Sequence, residues 1–238
     1  MAETTHTLTT PDGPMDCYEA VPDGDARGAV IVVQEAFGVN EHIRDVTRRF
    51  ATAGFHAVAP SLFHRAGGGV AEYSDFETVI KLFDGITDDG TLADIDSTIE
   101  HLHGCDFADR QIGIVGFCWG GRVTFLVSLR RAIGAGVGFY GGGIAADSPL
   151  GAKGLIDEAA ELQTPWLGLF GDEDGSIPVE QVEALREAVK GASVETEIVR
   201  YPGAAHGFHC DARPDAFNAE AAADAWNRTL AWYDAHLG

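Results

Sequence analysis

Short apolar runs alternate with amphipathic stretches along most of this chain, and that alternation restricts the fold more than any other feature. Residues 29–34, 56–59, 111–117, 135–140, 165–170 and 194–201 read as strands. Between them, residues 41–53 place Ile43, Val46 and Phe50 at helical spacing. Residues 91–103 do the same with Leu92, Ile95, Ile99 and Leu102, and residues 179–190 with Val182, Leu185 and Val189. A helix over 119–129 follows the 111–117 strand directly, and a C-terminal helix carries Trp226, Leu230, Tyr233 and Leu237 on one face. Near-continuous apolar strands separated by helices imply a doubly wound, mostly parallel sheet covered on both sides, an α/β fold. The first segment differs. Residues 4–9 and 15–20 flank Pro11-Asp12-Gly13, so they read as an antiparallel hairpin on the sheet edge. Residues 61–89 are the least regular and read as a small cap or lid, with 74–83 as its helical part. The 238 residues suit one domain of this type.

Charge narrows the partners. With 37 acidic against 16 basic residues the formal net charge is −21. Such a surface repels phosphate backbones and anionic lipids, so neither nucleic acid nor membrane is an expected partner. An anionic substrate needs a local basic contact. No apolar run approaches the roughly 20 residues that span a bilayer, and Met1-Ala-Glu-Thr-Thr-His has no leader character, so a cytoplasmic protein with reduced thiols is expected. Cys17, Cys105, Cys118 and Cys210 form neither a zinc pattern nor a CxxC pair. Cys17 and Cys105 read as small packed residues. His101 and His103, two apart on a helix, face away from each other and are poor joint ligands. No metal or organic cofactor is expected.

In a doubly wound sheet, ligands bind at the carboxyl ends of the strands, and reactive side chains follow four of the strands here. Cys118 lies in Gly116-Phe-Cys-Trp-Gly120, between a strand and a helix. This is nucleophile-elbow spacing with cysteine for serine. The sharp turn needs small residues two before and two after the nucleophile, and the helix N-terminus favours a thiolate. Asp174 follows another strand in Gly171-Asp-Glu-Asp-Gly-Ser-Ile-Pro178, with Asp172 and Glu173 as direct competitors. His206 follows the last strand in Tyr201-Pro-Gly-Ala-Ala-His-Gly-Phe208. The order nucleophile, acid, histidine is that of α/β-hydrolases. His206 would act as base or ion-pair partner of Cys118, and Asp174 would orient the imidazole. The backbone N–H groups of Ala36 and Trp119 are the expected oxyanion donors. Glu35 is unexpected beside a developing oxyanion; its residue type alone points it towards solvent, with a role beside Cys118 as the alternative.

These motifs resemble the dienelactone hydrolase (carboxymethylenebutenolidase) family of the α/β-hydrolase superfamily. The resemblance rests on Gln34-Glu-Ala-Phe-Gly-Val-Asn40, Gly116-Phe-Cys-Trp-Gly-Gly121, Gly171 to Pro178, His206-Gly-Phe208 and Ala225-Trp-Asn-Arg-Thr229, and spans nearly the whole chain. It implies Asp174 as the acid, because the family acid lies four before the proline. It also implies that Glu35 hydrogen-bonds the resting thiol and takes its proton when substrate enters, which would spare the cysteine from oxidation. The chain departs from the family where the founding enzymes hold the substrate carboxylate. Residues 75–83 contain no Arg, and Cys210 occupies the position four after the histidine, where the family has an Arg. Arg65 and Arg213 are the candidate replacements, with Phe37 and Phe208 as further candidate substrate contacts.

The expected activity is hydrolysis of a small ester or lactone through a Cys-His-Asp triad and a thioester, by a monomer or small homo-oligomer. Two other readings make different predictions. A thiol redox sensor would pair Cys118 with Cys210 after mild oxidation, and a non-catalytic binding protein would leave Cys118 unreactive.

Overall fold

The computed structural model of the protein describes residues 1–149 and 151–238. Among these residues the sheet comprises β1 (Ala2–Thr10), β2 (Gly13–Val21), β3 (Ala29–Val33), β4 (His56–Pro60), β5 (Ile112–Phe117), β6 (Ala135–Phe139), β7 (Trp166–Gly171) and β8 (Thr196–Tyr201). Their order is β1-β2-β4-β3-β5-β6-β7-β8. Strands β3 to β8 are parallel. The expected hairpin is present: β1 pairs antiparallel with β2 from Ala2↔Val21 to Thr10↔Gly13, and β2 then pairs antiparallel with β4. The fold is thus the α/β-hydrolase type, with an antiparallel edge on a parallel sheet.

The helices are α1 (Glu41–Thr52), α2 (Phe76–Leu82), α3 (Asp88–Gly104), α4 (Trp119–Arg130), α5 (Val179–Ala188) and α6 (Ala219–His236). Side-chain caps start several of them. Asn40 accepts from the Ile43 N–H at 3.1 Å, Thr87 from Gly90 at 3.0 Å and Asn218 from Ala221 at 3.1 Å, each cap contributing about 1 kcal/mol. Helices α1 and α6 share one face of the sheet, where Phe50 packs on Trp226 and Tyr233. Helices α3 and α4 lie together on the other. Strands β3 to β7 are wholly buried, as their uninterrupted apolar sequence requires. Helix α4 is buried from Trp119 to Leu129.

Helix α6 turns inward a broader face than the one its large side chains predict. The buried residues are Ala221, Ala222, Ala225, Thr229, Trp232 and Tyr233, with Trp226 and Leu230 on the flank. Small residues let the helix lie close to the sheet, and the bulky ones fill the margin. Arg122 of α4, 1 % exposed, donates to both carboxylate oxygens of Asp88 at 2.6 and 2.9 Å, and to the carbonyls of Gly143 and Lys153. That clamp ties the start of α3 and the loop after β6 to the helix that follows Cys118.

The chain runs from β3 through α1 to β4 and then crosses back to β5. The carboxyl ends of β3 and β5, adjacent in the sheet, therefore lie where the strand order reverses. A crevice opens at such a point, and Glu35 and Cys118 follow these two strands.

Candidate active site

Cys118 sits between β5 and α4 with φ 55° and ψ −118°. A non-glycine residue in this region carries strain of roughly 1–3 kcal/mol. The surrounding backbone holds it there. Its N–H donates to the Phe139 carbonyl at 3.1 Å, and its carbonyl accepts from Gly121 at 2.9 Å. The flanking glycines are required by contact. A Cβ on Gly116 would lie 2.1 Å from the Gly120 carbonyl oxygen, and one on Gly120 would lie 2.5 Å from the Gln34 oxygen. The turn therefore presses against the backbone at the end of β3, just before Glu35 and Ala36. Among the described residues no backbone acceptor takes the N–H of Ala36 or Trp119.

His206 and Asp174 meet as their order in the chain anticipates. The His206 Nδ1–H donates to Asp174 Oδ2 at 2.7 Å. The other carboxylate oxygen, Oδ1, accepts from the Ser176 N–H at 2.8 Å, the Ser176 hydroxyl at 2.6 Å and the Ile177 N–H at 3.2 Å. Burial pushes the Asp174 carboxyl up, but the hydrogen bond and charge of His206 and the Ser176 donors outweigh it, and it lies below its ordinary value. The rival acids point elsewhere: Asp172 receives both arms of Arg200, at 2.7 and 2.9 Å, and Glu173 is exposed.

With Nδ1 taken by Asp174, the Cys118 sulfur lies close enough to act on the imidazole electrostatically. Burial disfavours a charged His206. The sulfur of Cys118 and the carboxylate of Asp174 overcome that, pushing the imidazolium up to about 10.

Glu35 is completely buried, which corrects the solvent-facing reading of its residue type. The β3 terminus lies mid-sheet, so the side chain has no route outward. Among the described residues neither carboxylate oxygen makes a well-formed hydrogen bond, and the Tyr140 hydroxyl is a polar group that approaches it. The bond to the Cys118 thiol implied by the family resemblance is therefore not made in this arrangement. Burial pushes the Glu35 carboxyl up, and Arg213 and His206 pull it only partly back.

Tyr140 was not foreseen. It follows β6 with φ 39°, and its buried hydroxyl approaches Glu35 without a well-formed hydrogen bond to any described residue. Its ring stands edge-on to His206 at 5.1 Å. Burial, then Glu35, Cys210 and Cys118, raise its phenol well above the ordinary value, so it remains a neutral O–H. The signal available was its place at a strand's carboxyl end, just before three glycines. Tyr73 was also missed. Its hydroxyl accepts from Asn40 at 3.2 Å and hydrogen-bonds Cys210 at 3.3 Å, and its ring stands edge-on to Phe37.

The candidate substrate contacts separate. Arg213 lies over the Tyr73 ring at 5.4 Å, and its guanidinium makes no hydrogen bond or ion pair with any described residue. It is close enough to act electrostatically on Glu35 and Tyr140. Phe37 lines the same side, nearly buried against Tyr73. Arg65 is withdrawn as a contact. Its guanidinium donates to Asp12 at 2.7 and 2.9 Å, to Asp94 at 2.5 and 3.0 Å and to the Gly90 carbonyl at 3.0 Å, which exhausts it. Phe208 is withdrawn as well: it is fully buried and packs beneath Tyr140 and Tyr201. Residues 61–89 reach the site's margin through Trp119, which stacks on Phe63 at 5.6 Å and meets Phe83 edge-on at 5.2 Å. No described helix is long and apolar enough to cross a membrane.

Comparison with known proteins agrees with this architecture. A Methylorubrum extorquens protein described as "Putative carboxymethylenebutenolidase" is 39 % identical over 226 residues, covering 93 % of this chain and 77 % of its own. An Escherichia coli strain K12 protein of the same description is 40 % identical over 241 residues, covering 94 % and 83 %. The crystal structure described as "Putative Dienelactone Hydrolase" from Klebsiella pneumoniae superposes with a TM-score of 0.87 at 38 % identity, covering 98 % of this chain and 99 % of that one. The family model described as dienelactone hydrolase family matches residues 15–237. This chain therefore belongs to the dienelactone hydrolase family.

Proposed function

We propose that the protein hydrolyses a small ester or lactone, with Cys118 as nucleophile, His206 as acid and base, and Asp174 as the group that orients and charges His206. Family membership supports the reaction class. The observation that carries the mechanism is the hydrogen bond from His206 to Asp174 together with a cysteine held on a strained strand-to-helix turn.

The Cys118 thiolate attacks the carbonyl carbon, and the N–H groups of Ala36 and Trp119 stabilise the oxyanion. The tetrahedral intermediate collapses with cleavage of the C–O bond. His206 gives its Nε2 proton to the leaving alkoxide, and a thioester on Cys118 remains. Water then gives its proton to His206 and attacks the thioester carbonyl. The C–S bond breaks, the acid leaves and the thiolate–imidazolium pair is restored. Throughout, Asp174 keeps Nδ1 protonated and stabilises the imidazolium. Glu35 and Tyr140, buried without a well-formed hydrogen bond among the described residues, supply polar groups that a bound substrate or a shifted thiol engages. Arg213 takes a carboxylate on the substrate, as the cation this acidic surface otherwise lacks at the site.

The test is a panel of esters and lactones, with and without a carboxylate and including the dienelactones, on wild type, Cys118→Ala and Cys118→Ser. Wild-type turnover and a loss of at least about 10³-fold in Cys118→Ala are expected. Full activity in Cys118→Ala overturns the scheme. A Cys118–Cys210 disulfide after mild peroxide, with no ester turnover by wild type, would favour the redox reading instead.

A further inference from the structure

A second convergence of histidine, cysteine and carboxylate lies at the opposite end of the sheet, between the edge hairpin and α3. It contains Glu19 of β2, His56 at the start of β4, and His101 and Cys105 at the end of α3. The sheet register explains how distant residues meet. Glu19 lies opposite Val58, so His56, two residues earlier on the same face, is its diagonal neighbour. His6 lies opposite Cys17, diagonal to Glu19 from the other side. Helix α3 packs across this face, and His101 and Cys105, four apart, project from one side of it.

We propose that Glu19, His56, His101 and Cys105 form a structural site for one divalent transition-metal ion, zinc in preference to magnesium or calcium. One donor atom from each of the four residues lies within 4.8 Å of all the others. His56 Nε2 meets Glu19 Oε1 directly. His101 Nε2 lies 3.4 Å from the same oxygen and 4.0 Å from Cys105 Sγ. Tetrahedral zinc, with bonds of about 2.0 Å to N or O and about 2.3 Å to S, sets N···O edges near 3.3 Å and N···S edges near 3.6 Å. Along the measured His101 edges the donors stand within about half an ångström of that polyhedron. Two imidazoles, a thiolate and a carboxylate are a donor set for zinc, not for the oxygen-seeking cations.

The surroundings orient the set. His6 Nδ1 lies 3.2 Å from Glu19 Oε2, the oxygen that faces away from His56 and His101. The His6 ring stands 4.6 Å from that of His101, and its Nε2 is buried without a partner. Glu19 and His56 are buried, while His101 and Cys105 are half-buried, so an ion reaches the site from solvent at the α3 end. Binding releases the Cys105 proton to solvent and forms a metal–sulfur bond, with no change of oxidation state. Four protein donors leave no coordination position for substrate, so the ion staples the hairpin and β4 to α3.

The experiment is a Co²⁺ titration of the metal-free full-length chain, reading sulfur-to-cobalt charge transfer and the ligand-field bands of tetrahedral cobalt. One equivalent is expected to bind with both signatures. Cys105→Ser should abolish the charge-transfer band, and His101→Ala should weaken binding at least tenfold. Both should keep ester turnover within twofold of wild type. Glu35, His42 and Cys210 also approach one another within 4.8 Å, and Cys118 is a free thiol, so Cys210→Ser and Cys118→Ser serve as controls that must keep the band. Should Cys105→Ser fail to fold, zinc must still raise the melting temperature of wild type and not that of His101→Ala. Absence of saturable binding overturns the proposal. So does a band that survives Cys105→Ser or vanishes in either control, or an equal zinc-induced rise in melting temperature in wild type and His101→Ala.

Discussion

The two ends of the sheet present the same side-chain types in opposite circumstances. At the carboxyl end, Cys118 precedes the N-terminus of α4, the positive end of the helix dipole, and beside it is an imidazole whose pKa is raised by the cysteine sulfur and by Asp174. At the other end, Cys105 is the C-cap of α3, where the dipole opposes negative charge. Burial, then Glu19 and Asp106, push its thiol above the ordinary range. The carboxyl end also keeps Glu35 and Tyr140 buried side by side without a well-formed hydrogen bond to any described residue, whereas Glu19 at the other end is met by His6, His56 and His101. A thiol near a histidine and a carboxylate is therefore not yet a nucleophile. The helix end it occupies, and whether its neighbours are already satisfied by one another, separate a reactive site from a ligand cage.

The largest test within the triad is Asp174→Asn paired with Asp172→Asn. Asp174→Asn should lower kcat by about 10²–10⁴-fold, because the amide favours the wrong tautomer and no longer supports the imidazolium. Asp172→Asn should stay within about threefold, since it removes only surface pairing with Arg200. The pH profile sharpens this. His206 is raised from 6.5 to about 10, so it remains charged across neutral pH and loses its proton as pH climbs through about 10. The stability its ion pairs supply is fully present below 6.5 and is lost over the same rise. The alkaline fall of kcat/KM should lie near pH 10 in wild type and move to lower pH in Asp174→Asn. An unmoved limb would mean that Asp174 does not charge His206.

Much of this was legible in the sequence, and the failures share a cause. Strand and helix positions follow from local periodicity, and the order Cys118, Asp174, His206 follows from strand ends. Choosing Asp174 over Asp172 needed either the family resemblance or the geometry, since residue type does not separate neighbouring acids in one loop. The burial of Glu35 was hidden because carboxylates usually face water; only the position of β3 mid-sheet denies it that. Tyr140 and Tyr73 look like packing residues until their hydroxyls are located. His101 was weighed against His103, two residues away, when its partners were Cys105 one turn on and Glu19 and His56 across a sheet register that no local pattern encodes.

Arg213 offers the next, smaller effect. Its guanidinium is unpaired among the described residues, beside Tyr73 and Glu35. Arg213→Ala should raise KM about tenfold for esters carrying a carboxylate, a loss of roughly 1.4 kcal/mol, and leave neutral esters within twofold. An equal rise for both classes would show that the residue shapes the loop rather than reading charge. Cys210, in the position where the resemblance implies an arginine, has the wrong chemistry for that task, and the proposed cation is Arg213, three residues further along the chain.

Arg65→Ala should have the smallest effect on turnover, and it sets the boundary of the reactive end. Arg65 also follows a strand at the carboxyl end, but its hydrogen bonds all go to Asp12, Asp94 and Gly90. Asp94 has no exposed surface and also meets His64 at 3.0 Å. Removing the guanidinium leaves that carboxylate buried with one weak partner, which costs about 3 kcal/mol. The loss should appear as a lower melting temperature, with kcat and KM within twofold for carboxylate-bearing and neutral esters alike. If Arg65→Ala raised KM selectively for the carboxylate esters, as Arg213→Ala is expected to, the clamp would have to open during catalysis. A group satisfied by its neighbours would then be taking part in substrate binding, and the contrast between satisfied and unsatisfied polar groups would no longer mark where this molecule does its chemistry.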